Sequence, residues 1–547
     1  MDVANYDYVV VGAGSAGCIL ANRLSADPRN RVCLLEAGPR DRNPFLHIPA
    51  GFIKTLNNPQ VNWLFEAEPS HWTAGRAIGV PRGKTLGGSS AINGHIYNRG
   101  QRMDFDHWAQ RGNHGWGYAD VLPYFMRTEH RDGGDDEFRG RSGPVHVTNL
   151  NYRHPLCDAF IEGAHTIGIP RNNDYNGAEQ RGISYVQRTA NKGRRVSTAT
   201  AYLHPISYRK NLTVIPNAHA TRILLEGKRA TGIRYQIGGR TGAEREVSAA
   251  REVIISGGAI SSPQLLQISG IGAPALLGNL GIEVEHALSG VGENLADHYA
   301  PRLSARVKNV ETLNERSRGI KLAAEVVKYF LGAKSIVGLS PSMVYGFWHS
   351  DPALKTNDLQ FIFTPASYKV GVHGLLDDHP GFTIAAWQHR PESRGHVRAR
   401  SAHPFDKPII QPNYLSNESD RRAVVKAMRL ARELMHTQAM QPYLDEEMYP
   451  GPQVQSDEEL LEAARHYGST TFHVMGTCRM GPASDPGAVV DDQLRVHGLD
   501  ALRVIDASVM PSMISANLNA ATMMIGEKGA DLVLGKAPPE PVVLTQT

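Results

Sequence analysis

The first 36 residues contain the feature that most constrains the fold, a glycine-rich turn between two apolar strands. Residues 7–11 form an apolar, β-branched run, typical of a parallel strand buried on both faces. The turn at 12–17 and a helix-like segment at 18–24 follow, and a second strand over 32–35 ends on Glu36. This order predicts a dinucleotide-binding unit. A glycine-rich packing turn is the alternative, and the pattern alone does not separate NAD from FAD.

Each residue of this motif has a physical task. Gly12 permits the tight turn, Gly14 lets the backbone approach a pyrophosphate, and Gly17 lets the helix pack close to the strand. The phosphates are expected at the helix N-terminus, where free N–H groups and the helix dipole favour negative charge. Glu36 lies nineteen residues after Gly17 and can accept hydrogen bonds from ribose hydroxyls.

Length and composition indicate a soluble protein with more than one core. At 547 residues the chain exceeds the size at which one core usually stops growing, so we expect two domains or layers. Apolar residues make up 41% and charged residues 20%, an ordinary soluble balance. The formal net charge of +4 is spread along the chain, which argues against a nucleic-acid partner. No stretch approaches the roughly 18–20 apolar residues of a transmembrane segment.

The N-terminus and the cysteines favour a cytoplasmic location. The first residues lead into the first strand without the charged segment, apolar segment or cleavage site of a signal peptide. Cys18, Cys33, Cys157 and Cys478 form no Cys-x-x-Cys pair and have no histidines at metal spacing, so no metal site is expected. Cys18 and Cys33 fall in the predicted helix and strand, where they are expected to be buried. This usage fits a reducing compartment.

The remaining segments differ in pattern along the chain. Residues 37–79 contain five prolines and are expected to be an irregular excursion. Further elements are predicted as follows: helices at 104–110, 118–128, 262–269, 419–436 and 520–534, and strands at 212–215, 221–225, 231–235, 252–256, 360–363, 383–388 and 502–505. We therefore predict an α/β chain, α+β overall, with a Rossmann-like domain and a second domain built on an antiparallel sheet plus helices.

The predicted domain limits follow these changes of pattern. The nucleotide-binding domain takes 1–150, 206–300 and 471–536, a mixed segment on the substrate side takes 151–205, the substrate-binding domain takes 301–470, and a tail takes 537–547.

Four further segments carry a resemblance to a known family. They are Arg-Gly-Lys-Thr-Leu-Gly-Gly-Ser-Ser-Ala-Ile-Asn-Gly at 82–94, the run at 258–272, Phe-His-Val-Met-Gly-Thr-Cys-Arg-Met-Gly at 472–481, and Asp-Ala-Ser-Val-Met-Pro at 506–511 with its continuation through 517–522. With the glycine turn they resemble the glucose–methanol–choline (GMC) oxidoreductases, in particular the choline-dehydrogenase-like bacterial alcohol dehydrogenases and oxidases. The resemblance runs to about residue 534.

The resemblance implies FAD as the cofactor and a substrate domain over the flavin ring. Small residues in the 82–94 segment suit close backbone approach to a flat ring. The cofactor contacts implied are Gly12, Gly14, Ser15, Ala16, Gly17, Glu36, Ala37, Trp63, Arg82, Leu86, Gly87, Ser89, Asn93, Gly94, His95, Ile96, Ala220, Phe472, Asp506, Ala507 and Asn519. Some relatives carry a histidine beside the signature Asn for covalent attachment. Here that neighbour is Ile92, so non-covalent FAD is expected.

The resemblance also implies two catalytic residues, His473 and Asn517. A histidine is the side chain best poised to accept a proton near neutral pH, and only the match to the family segment distinguishes His473 among 23 histidines. Asn517 stands where other relatives have a second histidine, and its alternative role is to cap the last helix. His95 is expected to contact the flavin through its backbone. His298 and His497 are expected to be structural, and Cys478 to have no redox role.

The expected reaction is oxidation of an alcohol to an aldehyde or ketone by hydride transfer to flavin N5. A neutral primary alcohol is preferred, because the aromatic stretch 335–348 lacks the acid that choline would favour. Choline itself and a flavin-bound hydroxynitrile lyase reaction are the alternatives, and a non-catalytic nucleotide-binding protein is a third. The acceptor is oxygen or a quinone- or dye-type compound, with a dehydrogenase slightly favoured. Whether the chain forms a homo-oligomer is left open.

Overall fold

The computed structural model describes residues 4–369 and 374–543, and two β-sheets organise this part of the chain. The first sheet has seven strands: in spatial order Leu212–Ile215, Val32–Leu35, Ala4–Val11, Ala243–Ile255, Arg229–Ile237 and Ala218–Glu226, with Leu502–Val504 also paired to Ala243–Ile255. Strands from three distant parts of the sequence therefore share one sheet.

The first sheet changes direction at its longest strand. Ala4–Val11, Val32–Leu35 and Leu212–Ile215 pair in parallel, and the end of Ala243–Ile255 continues this parallel order to Leu502–Val504. The beginning of the same long strand pairs antiparallel with Arg229–Ile237. The last four residues of Ala4–Val11 and all four of Val32–Leu35 are buried, as expected of strands covered on both faces.

The second sheet is antiparallel and is built mainly from the middle of the chain. Its six strands are, in spatial order, Leu444–Tyr449, Arg302–Val307, Gly381–Gln388, Leu359–Thr364, Val344–Trp348 and Gly182–Tyr185. Its core is rich in phenylalanine. The helix Glu418–Met435 packs on this sheet and begins where the Asn417 side chain accepts a hydrogen bond from the backbone N–H of Ser419.

The remaining elements cover and connect the two sheets. The α-helices of the described residues are Ser15–Leu24, Phe52–Thr55, Arg102–Gln110, Tyr118–Thr128, Pro155–Thr166, Gly258–Ile268, Pro274–Asn279, Leu313–Arg316, Gly319–Phe330, Glu418–Met435, Asp457–Tyr467 and Leu518–Val533. Four pairs of short strands form two-stranded sheets: Phe65–Ala67 with Ile78–Val80, Tyr299–Ala300 with Ser469–Thr470, His396–Arg398 with Ile409–Gln411, and Ile271–Gly272 with His286–Ala287. A separate four-stranded sheet consists of Glu129–His130, Val145–Asn149, Gln187–Asn191 and Arg194–Arg195.

The predicted fold class is confirmed, with one local correction. The segment 37–79 is not wholly irregular, because Phe65–Ala67 forms an antiparallel ladder with Ile78–Val80. Three-residue strands separated by ten residues leave too little alternation to be recognised in the sequence. Within residues 4–369 and 374–543, no helix combines the length and apolar character needed to cross a membrane. Residues 544–547 of the predicted tail lie outside the described residues.

Candidate active site

A cavity of about 680 Å³ lies between the two sheets. On one side it is bordered by residues at the carboxyl ends of the parallel strands, including Val11, Leu35 and Ile255. On the other side it is bordered by side chains of the second sheet, such as Tyr345 and Trp387. Ligands of open parallel sheets bind at this edge, outside the carboxyl ends of the strands.

The glycine turn borders the cavity, and its shape depends on two glycines that allow close contacts between backbone segments. Gly12 has a left-handed φ of 100°, and a Cβ there would lie 2.5 Å from the Ser256 carbonyl oxygen. A Cβ on Gly17 would lie 1.8 Å from the carbonyl oxygen of Gly12, so only glycine lets the helix start this close to the turn. The helix Ser15–Leu24 has no side-chain cap, which leaves its first N–H groups available to a phosphate.

Glu36 holds this turn together at the end of the second strand. Its buried carboxylate accepts hydrogen bonds from the backbone N–H of Ala13 at 2.9 Å and of Gly38 at 2.8 Å. Burial raises the pKa of Glu36 to about 7, against the lowering effect of these two donors. Each carboxylate oxygen has a second lone pair, so Glu36 can still accept from a ligand hydroxyl in the cavity.

The second glycine-rich segment lies against the first. The N–H of Gly87 donates to the Ala13 carbonyl at 2.8 Å, and a Cβ on Gly88 would lie 2.7 Å from the Cα of Gly14. His95 follows in a left-handed conformation, φ 45°, and its Nδ1 lies 3.2 Å from the Ser340 hydroxyl. The two segments therefore form one continuous backbone surface along the cavity.

Most of the predicted cofactor contacts border this cavity. They are Gly12, Gly14, Ser15, Ala16, Glu36, Ala37, Trp63, Arg82, Ser89, Asn93, Gly94, His95, Ile96, Ala220, Phe472, Asp506, Ala507 and Asn519. Gly17, Leu86 and Gly87 do not border it. Gly17 contacts the turn from behind, Leu86 is buried in the core of the first sheet, and Gly87 bonds to Ala13, so these three support the wall instead of forming it.

His473 and Asn517 meet at the cavity, although 44 residues separate them. The Asn517 side-chain nitrogen lies 3.1 Å from His473 Nε2 and 3.2 Å from the Tyr345 hydroxyl. Asn517 occupies the capping position of the helix Leu518–Val533, but its side chain makes no capping hydrogen bond. The alternative capping role is therefore wrong, and the amide is free to face the cavity.

His298 determines which nitrogen of His473 carries the proton. His298 Nε2 lies 2.7 Å from the His389 carbonyl oxygen, which can only accept, so this nitrogen bears the proton of the neutral ring. Its Nδ1 is then an acceptor, and it lies 2.9 Å from Nδ1 of His473. His473 therefore donates from Nδ1 and keeps a lone pair on Nε2, the atom beside Asn517.

Both imidazoles are held neutral by their surroundings. Burial lowers the pKa of His298 to about 4. The pKa of His473 is lowered well below its ordinary value, first by burial, then by the repulsion that would arise if both rings were protonated, and then by the positive charge of Arg82. A neutral His473 with its lone pair on Nε2 has the protonation state that a general base requires.

The loop that carries His473 is anchored by a buried carboxylate. Asp297 accepts hydrogen bonds from the His473 backbone N–H at 2.7 Å and from the hydroxyls of Thr470 and Tyr414. Arg82 donates to the carbonyl of Phe472 at 2.7 Å. Burial raises the pKa of Asp297, while its hydroxyl donors and the Arg82 charge lower it. The backbone on both sides of the His473 N–H is thus fixed from outside the loop.

The sequence interpretation missed part of this site. His298 was predicted to be structural, whereas its ring contacts His473 directly; Tyr345 was considered only as an aromatic of the stretch 335–348, and Asp297 was not singled out. No local signal marks these contacts with His473 and Asn517, because the partners are 172 to 176 residues apart in the sequence. His497, in contrast, bonds through Nε2 to the Gly481 carbonyl and does not border the cavity.

The wall fits a cofactor with a flat ring and a pyrophosphate. Four polar atoms of cavity residues, Arg82 Nε, His95 Nε2, Trp387 Nε1 and Asn517 Oδ1, are buried without a hydrogen-bond partner in the described part of the chain. A bound group in the cavity can supply partners for such atoms. The paired glycine segments provide the backbone N–H groups and the close approach that both parts of such a cofactor need.

Comparisons with known proteins agree with this geometry. The N- and C-terminal models of the GMC oxidoreductases match residues 6–300 and 391–526. The chain is 39% identical to an oxygen-dependent choline dehydrogenase of Photobacterium profundum (98% of this chain, 94% of the relative) and 39% identical to an alcohol dehydrogenase [acceptor] of Pseudomonas putida (97% and 96%). A crystal structure of pyridoxine 4-oxidase from Mesorbium loti superposes with a TM-score of 0.87 at 31% identity, covering 96% of this chain and 98% of that one. The chain therefore belongs to the GMC oxidoreductase family, whose members bind FAD and act on CH–OH donors.

Proposed function

We propose that His473 removes the hydroxyl proton of an alcohol substrate while a hydride leaves the same carbon, which gives an aldehyde or ketone. FAD, when bound, supplies the hydride acceptor. The observation that carries this proposal is the lone pair on His473 Nε2, which the hydrogen bond to His298 holds in place at the cavity. Asn517 supports it: its side-chain nitrogen donates to this lone pair and to the Tyr345 hydroxyl, and when the substrate hydroxyl takes its place at Nε2 the released N–H can donate to the substrate oxygen.

The chain's own residues also suit the binding of FAD without a covalent bond. We assign the phosphates to the turn at 12–17, the ribose to Glu36, and the flavin side to the segment 89–96. Asp506 belongs to the same wall and is fixed by the backbone N–H of Gly258 at 2.8 Å. Ile92 borders the cavity where some relatives have a histidine, and its side chain has no nucleophile.

The central test is the exchange His473→Ala. General-base assistance typically contributes about 10²- to 10⁴-fold, so we expect turnover to fall by that factor while the flavin absorbance of the purified protein persists. His497→Ala is the matched control, because that ring lies off the cavity. Near wild-type turnover in His473→Ala would remove His473 from the reaction.

The same preparation tests the reaction class and the acceptor. An alcohol panel of choline, a long-chain aliphatic alcohol, benzyl alcohol and a polyol is added without oxygen, and bleaching of the flavin reports oxidation. We expect one alcohol to bleach it. Slow recolouring in air would support a dehydrogenase that uses a quinone- or dye-type acceptor, and fast recolouring an oxidase. A flavin that no alcohol bleaches would favour the lyase reaction, which has no net oxidation.

Choline is the second candidate substrate, and the curated relatives favour it, since several are choline dehydrogenases. The cavity argues for a different alcohol. A quaternary ammonium group is best bound by an aromatic box with a nearby carboxylate. The wall formed by the second sheet offers Tyr345 and Trp387, but none of the described residues that it contributes to the cavity is acidic.

A further inference from the structure

The second sheet presents an almost uncharged wall to the cavity. Its strands, together with the short strand Tyr299–Ala300 that comes just before Arg302–Val307, contribute Ala300, Arg302, Tyr345, Ile362, Thr364, Ala385 and Trp387. Among these residues of the described chain, Arg302 alone carries a charge. The remaining six offer apolar surface, one threonine hydroxyl, and the polar ends of Tyr345 and Trp387. A single cation on such a wall has a strong influence on which ligands enter.

Arg302 is half-buried, and among the described residues it has no counterion. Within residues 4–369 and 374–543 its side chain takes part in no hydrogen bond and no ion pair, whereas Arg306 on the same strand lies 3.8 Å from Glu446. Burial lowers the pKa of the Arg302 guanidinium, and the nearby Tyr368 opposes this effect. Guanidinium stays charged in proteins, and a desolvated charge without a partner is unfavourable. The side chain is therefore prepared for an anion.

Arg302 stands on the same wall as the imidazole that orients His473. Side chains of an extended chain alternate in direction, and His298, Ala300 and Arg302 all face the site. Four residues of extended backbone span about 13 Å. The strand register places Ala385 opposite Arg302. Trp387 lies two residues after Ala385 on that strand and next to His298, and the centroids of the Trp387 and His298 rings are 6.3 Å apart. The wall thus has a proton-accepting end and a cationic end.

We propose that Arg302 binds a carboxylate carried by the alcohol substrate, so that the substrate class is a hydroxy acid whose CH–OH group lies several carbon atoms from its carboxylate. This inference rests on the proposed alcohol oxidation. A carboxylate fits because the planar guanidinium fork donates two parallel hydrogen bonds to it. A trimethylammonium group would meet the same charge with repulsion. Ala300 lies between the two ends and Ala385 and Ile362 lie level with Arg302, so these apolar residues would contact the methylene chain.

The test uses the FAD-loaded enzyme and matched substrates. Primary hydroxy acids of four, six and eight carbons are compared with their methyl esters, which keep the alcohol and remove the charge. We expect the best hydroxy acid to exceed its ester in kcat/KM by at least about tenfold, since a charged hydrogen bond is worth that much or more. Arg302→Gln should raise KM for this acid by at least about tenfold, leave kcat within about twofold, and leave the ester unchanged.

Two variants and a binding measurement complete the design. Arg306→Gln, on the same strand but off the cavity, should change neither substrate, and Arg302→Lys should restore part of the preference for the acid. Titration calorimetry with the non-oxidisable unsubstituted acid, hexanoate, reports binding without turnover, and Arg302→Gln should weaken it by a similar factor.

Each contrary result has a distinct meaning. An ester or choline preferred over every hydroxy acid, or an unchanged KM in Arg302→Gln, would overturn the role of Arg302 while leaving alcohol oxidation intact. Failure to oxidise any alcohol would overturn the proposed function instead. Hexanoate binding would then still decide whether Arg302 holds a carboxylate.

Discussion

At the scale of single residues, the site depends on a chain of hydrogen bonds that ends at one lone pair. The His389 carbonyl fixes the proton on His298, and His298 fixes the proton on His473. The Thr471 hydroxyl lies 2.7 Å from the same His473 Nδ1, which gives this N–H a second acceptor. None of these neighbours needs to touch a substrate. They act by keeping His473 in the tautomer whose Nε2 carries the lone pair, at the position where Asn517 donates to it.

The role of His298 as a positioning residue leads to a prediction about pH. In His298→Phe one of the two acceptors for His473 Nδ1 is lost while the Thr471 hydroxyl remains, and one of the neighbours that lower the His473 pKa is removed as well. We expect kcat to fall by about tenfold or more and the acid limb of the kcat/KM profile to move to higher pH. His298→Gln, whose amide oxygen can still accept, should keep more activity. A fall in kcat with no movement of the acid limb would reduce His298 to a packing role.

At the scale of elements, the last helix holds the first one in place. Glu527, fully buried on Leu518–Val533, accepts hydrogen bonds from Arg23 at 2.7 and 2.9 Å and from the Tyr202 hydroxyl at 2.9 Å. The helices meet where a Cβ on Gly526 would lie 3.0 Å from the Cα of Ala16. Since the N-terminus of Ser15–Leu24 faces the cavity, this contact fixes the proposed phosphate site.

Breaking this contact should destabilise the protein without touching the cavity. Glu527→Gln removes the carboxylate that Arg23 and Arg127 share, although Arg127 keeps its ion pair with Asp531, and we expect a loss of about 2–4 kcal/mol, below the upper range for buried pairs because both arginines keep some contact with water. Thermal unfolding of the variant measures it. Glu462→Gln, which removes an exposed partner of Arg465, should change stability by less than about 0.5 kcal/mol. Equal effects of the two exchanges would contradict the prediction.

At the scale of the whole molecule, the two sheets enclose polar and ionisable groups that neither sheet alone would bury. Among the described histidines whose pKa values are lowered by burial, five lie at the cavity or next to it: His95, His219, His298, His389 and His473. Three of them border the cavity, and the other two extend the contacts of His473. The geometry that provides a neutral base therefore also makes the folded state sensitive to acid.

We expect stability to fall as pH decreases from about 6.5 towards 4. The folded-state pKa values of His219 and His298 are about 4, so between their unfolded value of about 6.5 and this value the unfolded chain binds more protons. The pKa values of Glu36 (about 7) and Asp297 are raised, so these two carboxyl groups favour the folded state as pH falls, but they are fewer than the five histidines that disfavour it. The melting temperature between pH 7 and pH 4.5 tests this, and His298→Gln should flatten the curve. A constant melting temperature over that range would contradict it.

Local sequence patterns were sufficient for many of the elements. The helix Tyr118–Thr128 and the strands Val32–Leu35 and Leu212–Ile215 have the predicted bounds, because apolar periodicity and flanking turns are properties of neighbouring residues. The helix predicted at 262–269 begins four residues earlier, at Gly258, where glycines weaken the helical signal. The domain limits near 150, 205, 300 and 470 stay predictions.

The sequence by itself determined the nucleotide-binding turn, the family and the two residues His473 and Asn517, because each depends on a short motif with fixed spacing. Only the tertiary structure decided that His298 orients His473, that Asp297 anchors its loop, and that Arg302 faces the same cavity. His298 and His473 are 175 residues apart and meet only because Tyr299–Ala300 pairs with Ser469–Thr470. Contacts of this kind are set by how strands from distant segments pair, and no spacing along the chain records them.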